Sequence, residues 1–460
     1  MDYRYDLVCI GSGPAGQRAA VQASKLGKKV ALVEKSSCVG GICLHTGTIP
    51  SKTFREAVLK QSVKTKVNNI HGITEKSLEQ IFQDVQIIID KEVLVNNDQL
   101  SRNDVHVFHG EAAFLNPNEI LVKSKKQNIK LQSEFFLISV GANAIKPKGL
   151  SLNKKNVITS DEIFDLKVIP KSLSIIGCGV IGIEYASMFA KLGVEVTIID
   201  GRDRPLEFLD TEILDELINQ MKKIGVIFQL NENVKDIEDI NDQQRGVLIH
   251  LKSGKKILSE LAILCAGRKG ATENLNLEKV NVNLDDRGRI IVDRKFRSSS
   301  KNIFAAGDVI GFPSLAATSF EQGRLASLYM FKNNINLMSP NFPVGIYSIP
   351  EVSMVGKNEN QLIEENTPYE TGIARYKEIS RGNILDDKVG VLKLIVHRDS
   401  KQILGVHILG TNATELIHIG QCAIELEGRL EYFLNSVFNY PTLAECYKVA
   451  ALNVSNKLYI

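Results

Sequence analysis

Long apolar runs are missing from this 460-residue sequence. No stretch reaches the roughly 18 apolar residues that a membrane-spanning helix requires, so no span is expected. Prolines are few, 12 in all, and no low-complexity tract occurs, which excludes fibrous and disordered classes. A dominant charge sign is absent too: 56 Lys+Arg against 53 Asp+Glu leaves +3. That balance argues against nucleic acid or an acidic membrane surface as partner and leaves small molecules. Met1 to Asp6 hold no basic segment leading into an apolar one, so no secretory signal is expected and the expected compartment is the cytoplasm. The seven cysteines, at 9, 38, 43, 178, 265, 422 and 446, are odd in number and scattered, against the pattern of an extracellular disulfide framework. Most lie in apolar runs and are expected as packed thiols. No His/Cys spacing resembles a metal centre, and no metal is expected.

The length accommodates about three domains. Asp6 to Ile10 reads as an apolar strand, Pro14 to Leu26 as a helix and Lys29 to Glu34 as a second strand, a βαβ opening. Helical spacing recurs over Ser51–Val63 and Glu75–Asn97. Short strands from Val105 to Val140 predict a small antiparallel meander, and Gly141 to Val157 reads as a linker. A second strand-loop-helix-strand unit runs from Leu173 to Asp200, and Asn302 to Asp308 is another buried strand ending in a Gly-Asp turn. The tail from Ser339 reads as a separate domain of mixed strands and helices.

Both βαβ units carry G-x-G-x-x-G. In Gly11-Ser12-Gly13-Pro14-Ala15-Gly16 the first glycine permits the tight turn, the second a close backbone approach to a pyrophosphate, and the third helix-on-strand packing. The helix N-terminus then offers free N–H groups and a positive dipole end. Glu34 follows Gly16 by 34 − 16 = 18 residues, the place of an acid that hydrogen-bonds ribose hydroxyls. Gly177-Cys178-Gly179-Val180-Ile181-Gly182 repeats the frame, with Asp200 at 200 − 182 = 18 residues. Arg202 and Arg204 follow that acid. An acid there favours NAD, whereas an arginine accommodates the 2′-phosphate of NADP. Two readings of the arginines stay open: nucleotide contacts, or surface ion pairs with Glu207 or Asp210. The residues thus predict two dinucleotides, one at each fingerprint.

Val39-Gly40-Gly41-Ile42-Cys43-Leu44-His45-Thr46-Gly47-Thr48-Ile49-Pro50-Ser51-Lys52, with both fingerprints and the Ala306-Gly307-Asp308 turn, resembles the pyridine nucleotide-disulfide oxidoreductases over almost the whole chain. The resemblance implies an α/β fold: two Rossmann-like dinucleotide-binding domains plus a C-terminal α+β dimerisation domain. Residues 1–150 and a return segment 276–338 would bind FAD, 151–275 the nicotinamide nucleotide, and 339–460 would form the interface of a homodimer or larger homo-oligomer. It further implies FAD contacts from Lys35, Gly40, Gly41, Cys43, Lys52, Ala112, Gly141, Asp308 and the backbone of Leu315 and Ala316. Glu184, paired with Lys52, and Gly267 would join the nicotinamide site.

Two departures from that family's thiol chemistry stand out. Disulfide-using members carry a second cysteine five residues after the first; here it is Thr48, which cannot form a disulfide. Cys38 lies five residues on the other side, before the glycine turn, and is a poor replacement. Where those members have His-Pro-Thr near the C-terminus, this chain has Tyr440-Pro441-Thr442, keeping Glu445. Tyrosine, with a pKa of about 10, is a poor thiol base at neutral pH. Together these segments resemble the soluble, Si-specific pyridine nucleotide transhydrogenases within the family. That resemblance implies FAD-dependent, ping-pong hydride transfer between NADPH and NAD⁺. Lys52 and Glu184 would act at the flavin, Cys43 would be a spectator beside it next to Thr48, and Tyr440 and Glu445 would complete the neighbouring subunit's site. The alternatives are a dihydrolipoamide dehydrogenase-like reductase, an NAD(P)H oxidase, or a non-catalytic flavin redox sensor. His45 is either a ligand contact or a satisfied loop residue; His407 and His418 are expected to be structural.

Overall fold

Strand Tyr3–Ile10 lies between Val30–Glu34 and Asn128–Ile138, parallel to both, and His106–His109 extends the sheet beyond Val30–Glu34. This is a computed structural model describing residues 3–68, 75–125, 127–146, 156–240 and 246–458. Every residue of Val30–Glu34 is buried, as expected of a parallel strand covered on both faces. The meander expected from Val105 to Val140 is present as Glu111–Asn116, Glu119–Lys123 and Asn128–Ile138, all antiparallel. It is not separate, however. The 11-residue third strand is long enough to pair with the meander at its start and with the parallel sheet along most of its length, and His106–His109 belongs to the parallel sheet alone. Ile303–Ala305 pairs with the same long strand and delivers Asp308 to the carboxyl edge of the sheet.

The second parallel sheet runs Ile227–Gln229, Glu195–Ile199, Ser172–Ile176, Leu261–Leu264, Val157–Thr159. The expected linker is partly structured: Ala142–Ala144 pairs antiparallel with Arg268–Gly270, so the outgoing and returning chains form a two-stranded ribbon. Residues 147–155 of that expectation lie outside the described residues. A five-stranded antiparallel sheet makes up the last region, in the order Val344–Ile346, Val352–Gly356, Ile403–Leu409, Val391–His397, Tyr369–Arg375.

The helix expected at Ser51–Val63 begins earlier and ends later, as Thr48–Asn68, after a short turn of helix Gly41–His45. Glu75–Asn97 extends to Ser101. Among the described residues no helix is long and apolar enough to cross a membrane. Phe54 is fully buried, with Phe82, Phe164 and Phe189 at ring-centroid distances of 6.0, 6.1 and 5.8 Å. Deleting such a ring costs about 3–5 kcal/mol. Phe54 thereby pins its helix, two residues from Lys52, against the second fingerprint helix Val180–Lys191. The same apolar cluster includes Leu206 and Leu209, which follow strand Glu195–Ile199 of the second parallel sheet, and Ile346, Val352, Val391 and Leu409 of the C-terminal sheet, so these regions share one core.

Candidate active site

The two fingerprint loops adopt the same backbone. Gly11 (φ +103°) and Gly177 (φ +113°) sit in the left-handed region, and a Cβ on either would lie 2.4 Å from a carbonyl oxygen, Ser139 or Cys265. Gly16 and Gly182 bring each helix onto its strand, where a Cβ would come within 1.9 and 2.0 Å of the carbonyl oxygens of Gly11 and Gly177. At Gly13 and Gly179, by contrast, a Cβ would meet nothing within 4 Å, so each backbone opens a cradle that a side chain would fill. Helices Pro14–Lys25 and Val180–Lys191 have no side-chain cap, which leaves their first-turn N–H groups free for an anion. These cradles fit the phosphates of two dinucleotides.

The acids complete each loop differently. Glu34 Oε2 accepts from Ser12 N at 3.1 Å and Ser12 Oγ at 2.5 Å, while Oε1 accepts from Ser36 N at 2.8 Å. Ser12 Oγ in turn accepts from Gly40 N at 2.9 Å, tying the Gly40–Gly41 turn to the fingerprint. Lys35 points to solvent. In the second loop Cys178 N donates to Asp200 Oδ2 at 2.7 Å, and Arg202 grips the same carboxylate with Nε at 2.9 Å and Nη2 at 2.8 Å. Burial alone would raise the Asp200 carboxyl. The Arg202 guanidinium and the amides of Cys178 and Arg202 outweigh it and hold the group well below the usual carboxylate range. The neighbouring Cys178 thiol is pushed up to about 12 by burial and then by Asp200. Neither Glu207 nor Asp210, the partners in the surface-pair reading, is used: Arg202 pairs with Asp200, and Arg204 with Asp215 and the Thr211 carbonyl. Chelation of an acid two residues away holds Arg202, and Asp210 is engaged by Lys393.

Between the loops stands Lys52. Its Nζ donates to Glu184 Oε2 at 2.7 Å, contacts Ser51 Oγ at 3.3 Å and lies 4.8 Å from the centre of the Tyr347 ring. Glu184, 4% exposed, accepts from Tyr347 N through its other oxygen at 2.8 Å. One turn on, buried Arg55 donates to the Ser348 carbonyl at 3.0 Å and pairs with Glu351 at 3.0 Å. The pair thus joins the helix after the first loop, the helix of the second and the start of the C-terminal sheet. Neither Arg55 nor Ser12 carries a spacing signal that marks it in the sequence.

Cys43 and Thr48 adjoin. Burial raises the Cys43 thiol, and the Thr48 hydroxyl only partly offsets it, so the thiol stays protonated at neutral pH. All seven cysteines are unpaired; Cys9, Cys178 and Cys446 are buried, Cys43 and Cys265 half-buried, and Cys38 and Cys422 exposed. Asp308, raised by burial and eased by Arg268, follows Gly307, whose N–H donates to Gln322 Oε1 at 2.8 Å. Gly323 lets helix Ala316–Phe331, capped at Leu315, approach the first fingerprint helix so closely that a Cβ would lie 2.0 Å from the Ala15 carbonyl oxygen. Ala112 is buried in strand Glu111–Asn116; Gly141 (φ +70°) and Gly267 (φ +103°) flank the two-stranded ribbon. Arg268 locks that ribbon through Asp161 at 3.0 Å and the Ala142 carbonyl at 2.6 Å.

Three histidines are accounted for by protein contacts: His45 Nε2 lies 3.0 Å from the Val39 carbonyl, His407 Nε2 2.9 Å from the Lys357 carbonyl, and His418 Nδ1 2.9 Å from Gln421. Tyr440 is 72% exposed and its hydroxyl meets Ser380 Oγ at 2.6 Å. Glu445 opens the last helix, Glu445–Leu458.

Residues 5–323 match the family described as pyridine nucleotide-disulphide oxidoreductase, and 342–451 match its dimerisation domain. The chain is 44% identical, over 99% of its length and 98% of the relative's, to a soluble pyridine nucleotide transhydrogenase of Mycobacterium bovis (strain BCG / Pasteur 1173P2). It is 41% identical over the full length of both chains to a protein of the same name from Hahella chejuensis. Among solved structures it resembles the HOCl-induced flavoprotein disulfide reductase RclA from Escherichia coli, with a TM-score of 0.88, 26% identity, and 98% and 100% of the two chains covered. LpdA from Mycobacterium tuberculosis shares the fold with a TM-score of 0.90 at 23% identity, over 98% and 99% of the chains.

Proposed function

Because the chain belongs to the pyridine nucleotide-disulphide oxidoreductase family, we propose that it uses bound FAD to transfer hydride reversibly between NADPH and NAD⁺, in a ping-pong reaction without a redox-active disulfide. The full-length relatives named soluble pyridine nucleotide transhydrogenase support this activity. The observation that carries it is local: Thr48, not a second thiol, stands beside a Cys43 whose own thiol is raised by burial.

FAD would be held by Gly11, Gly13, Pro14, Ala15, Gly16 and Glu34 at its phosphates and ribose, and by Gly40, Gly41, Asp308, Leu315 and Ala316 further along. When bound it supplies the ring that accepts and returns hydride. The chain's own residues do the rest. Gly177, Gly179, Val180, Ile181 and Gly182 cradle the substrate pyrophosphate, and both nicotinamide nucleotides use this one site in turn. Glu184 holds the Lys52 ammonium in place, so that bound flavin would meet a fixed cation that need not reorganise during transfer. Asp200 reads an unphosphorylated ribose, and Arg202 with Arg204 meets the 2′-phosphate of NADP. Arg202, whose side chain is 47% exposed, would exchange its bond to Asp200 for one to that phosphate and so stay paired with an anion.

The segments 1–150 with 276–338, 151–275 and 339–460 serve as FAD, nucleotide and interface domains of a cytoplasmic homodimer, with Tyr440 and Glu445 turned to the partner's site. The matched dimerisation region and the relatives' description as soluble support that placement. Anaerobic mixing of the holoenzyme with NADPH and a thionicotinamide analogue of NAD⁺ tests the activity. Reduction of the analogue is expected; turnover of lipoamide or oxygen at comparable rates, with the analogue untouched, overturns it.

A further inference from the structure

Behind the nucleotide-reading loop lies an ionic cluster that the transfer mechanism does not use. Lys393 is 1% exposed, in the middle of strand Val391–His397 of the C-terminal sheet. Its Nζ lies 2.9 Å from Asp210 Oδ1 and 2.9 Å from Glu212 Oε2, and it also pairs with Glu359. The three carboxylates come within 4.8 Å of one another, a spacing that suits a cation, and the cation the chain supplies there is this ammonium. His407 lies opposite Lys393 in the adjoining strand, and its lowered pKa, set first by burial, leaves it neutral and adds no further charge.

Asp210 and Glu212 belong to the nucleotide domain; Lys393 and Glu359 belong to the C-terminal domain. Asp210 is the N-cap of helix Thr211–Lys223, accepting from Glu212 N at 3.2 Å. A second tie lies two residues upstream, where Asn358 Nδ2 donates to the Phe208 carbonyl at 3.1 Å. The loop from Asp200 to Asp210 therefore has two differently held ends. At the first, Asn231 N donates to the Arg202 carbonyl and Glu232 N to the Asp200 carbonyl, both at 3.0 Å and both within the nucleotide domain. At the second, Phe208 and Asp210 are held by the other domain. Arg204 leans on the second end, through Thr211 and Asp215.

We propose that Lys393, acting through Asp210 with Asn358 beside it, is a positioning residue for nucleotide selection: it fixes the far end of the reading loop so that Arg204 meets a 2′-phosphate. This rests on the reading that Arg202 and Arg204 face NADP. Neither Lys393 nor Asn358 touches substrate, and Asp200, which reads the unphosphorylated ribose, is held independently. Weakening the anchor then separates the two nucleotides.

The test is steady-state kinetics of the FAD holoenzyme, with NADPH and NADH as alternative donors to a thionicotinamide acceptor. Lys393→Met is expected to raise KM for NADPH by about tenfold, the scale of one lost charge-assisted hydrogen bond, with KM for NADH and kcat nearly unchanged. Lys393→Arg restores the wild-type ratio, because a guanidinium also pairs with the carboxylates. Where Lys393→Met yields no folded holoenzyme, Asn358→Ala removes the Phe208 tie together with the cap that Asn358 Oδ1 gives helix Glu359–Glu364 at Gln361 N (2.9 Å), loosening the same anchor, and is expected to shift the ratio in the same direction. Arg204→Ala is the control. If it raises KM for NADPH while Lys393→Met and Asn358→Ala move both donors equally or not at all, the nucleotide reading stands and the proposal is overturned. If Arg204→Ala itself leaves KM for NADPH unchanged, the nucleotide reading fails and takes the proposal with it.

Discussion

Ser12 and Cys178 occupy the same slot in two loops whose glycines superpose in role, yet the carboxylate each amide meets has a different life. Glu34 is bound by a hydroxyl and two backbone amides, all from residues close to its own loop. Asp200 is bound by one amide of its loop and by the guanidinium and amide of Arg202, whose side chain is 47% exposed. A carboxylate held by a hydroxyl and backbone amides, with no cation, would suit a dinucleotide that stays. One shared with an exposed guanidinium would suit a dinucleotide that must leave and be replaced by another of different charge. The fingerprint glycines shape the same open cradle in both loops, and the loops differ in the partner of the acid.

The sharpest break in that comparison comes from the third glycines. Gly16→Val and Gly182→Val each force a side chain onto a carbonyl oxygen about 2 Å away. The first variant is expected to be isolated without flavin; the second keeps its flavin and loses nucleotide turnover. Flavin absorbance per chain measures both, and retention of FAD by Gly16→Val sinks the assignment of the first loop.

Lys52→Met comes next. Removing a preorganised charge at a reacting centre slows chemistry by about 100-fold, and because both half-reactions share Lys52, stopped-flow traces with NADPH and with NADH should slow alike. An unaltered rate removes its role. A smaller effect is expected for Arg202→Ala: a rise of about tenfold in KM for NADPH, from loss of a charge-assisted contact, with NADH changed by less. Equal changes for both donors would make Arg202 a surface charge only.

The smallest effect is on stability. Asp200 is held below its ordinary pKa in the folded chain, so it favours folding above the ordinary carboxylate value of about 4, and that contribution fades as pH falls towards the depressed native value. Thermal midpoints of wild type and Arg202→Ala should differ at neutral pH and converge under acid. A gap that widens on acidification refutes the sign.

Much of the site was legible because its signals are local. Glu34 and Asp200 fall at a fixed interval after their glycines, and both loops form from a few neighbouring residues. Arg202 was visible as a candidate, but its partner was not: Asp200, two residues back, chelates it in place of Glu207 or Asp210. Lys393 left a faint mark, as a lysine inside the apolar run Val391 to Val396, without indicating that its partner lies 183 residues away. Arg55 left none, since its acceptor at Ser348 is 293 residues distant. The antiparallel meander was readable from its short strands, whereas its fusion to the parallel sheet depended on how far Asn128–Ile138 extends.

By itself, then, the sequence determined the two fingerprint turns, which need glycine at set positions for steric reasons, and the absence of a second thiol at Thr48, which is a matter of chemical identity. Tertiary structure decided which charges meet. Lys52 and Glu184 are 132 residues apart, and Lys393 and Asp210 sit in different domains. Such pairs form only when apolar packing, here around Phe54 and the shared core, brings separate segments together and removes the water that would otherwise keep their charges apart.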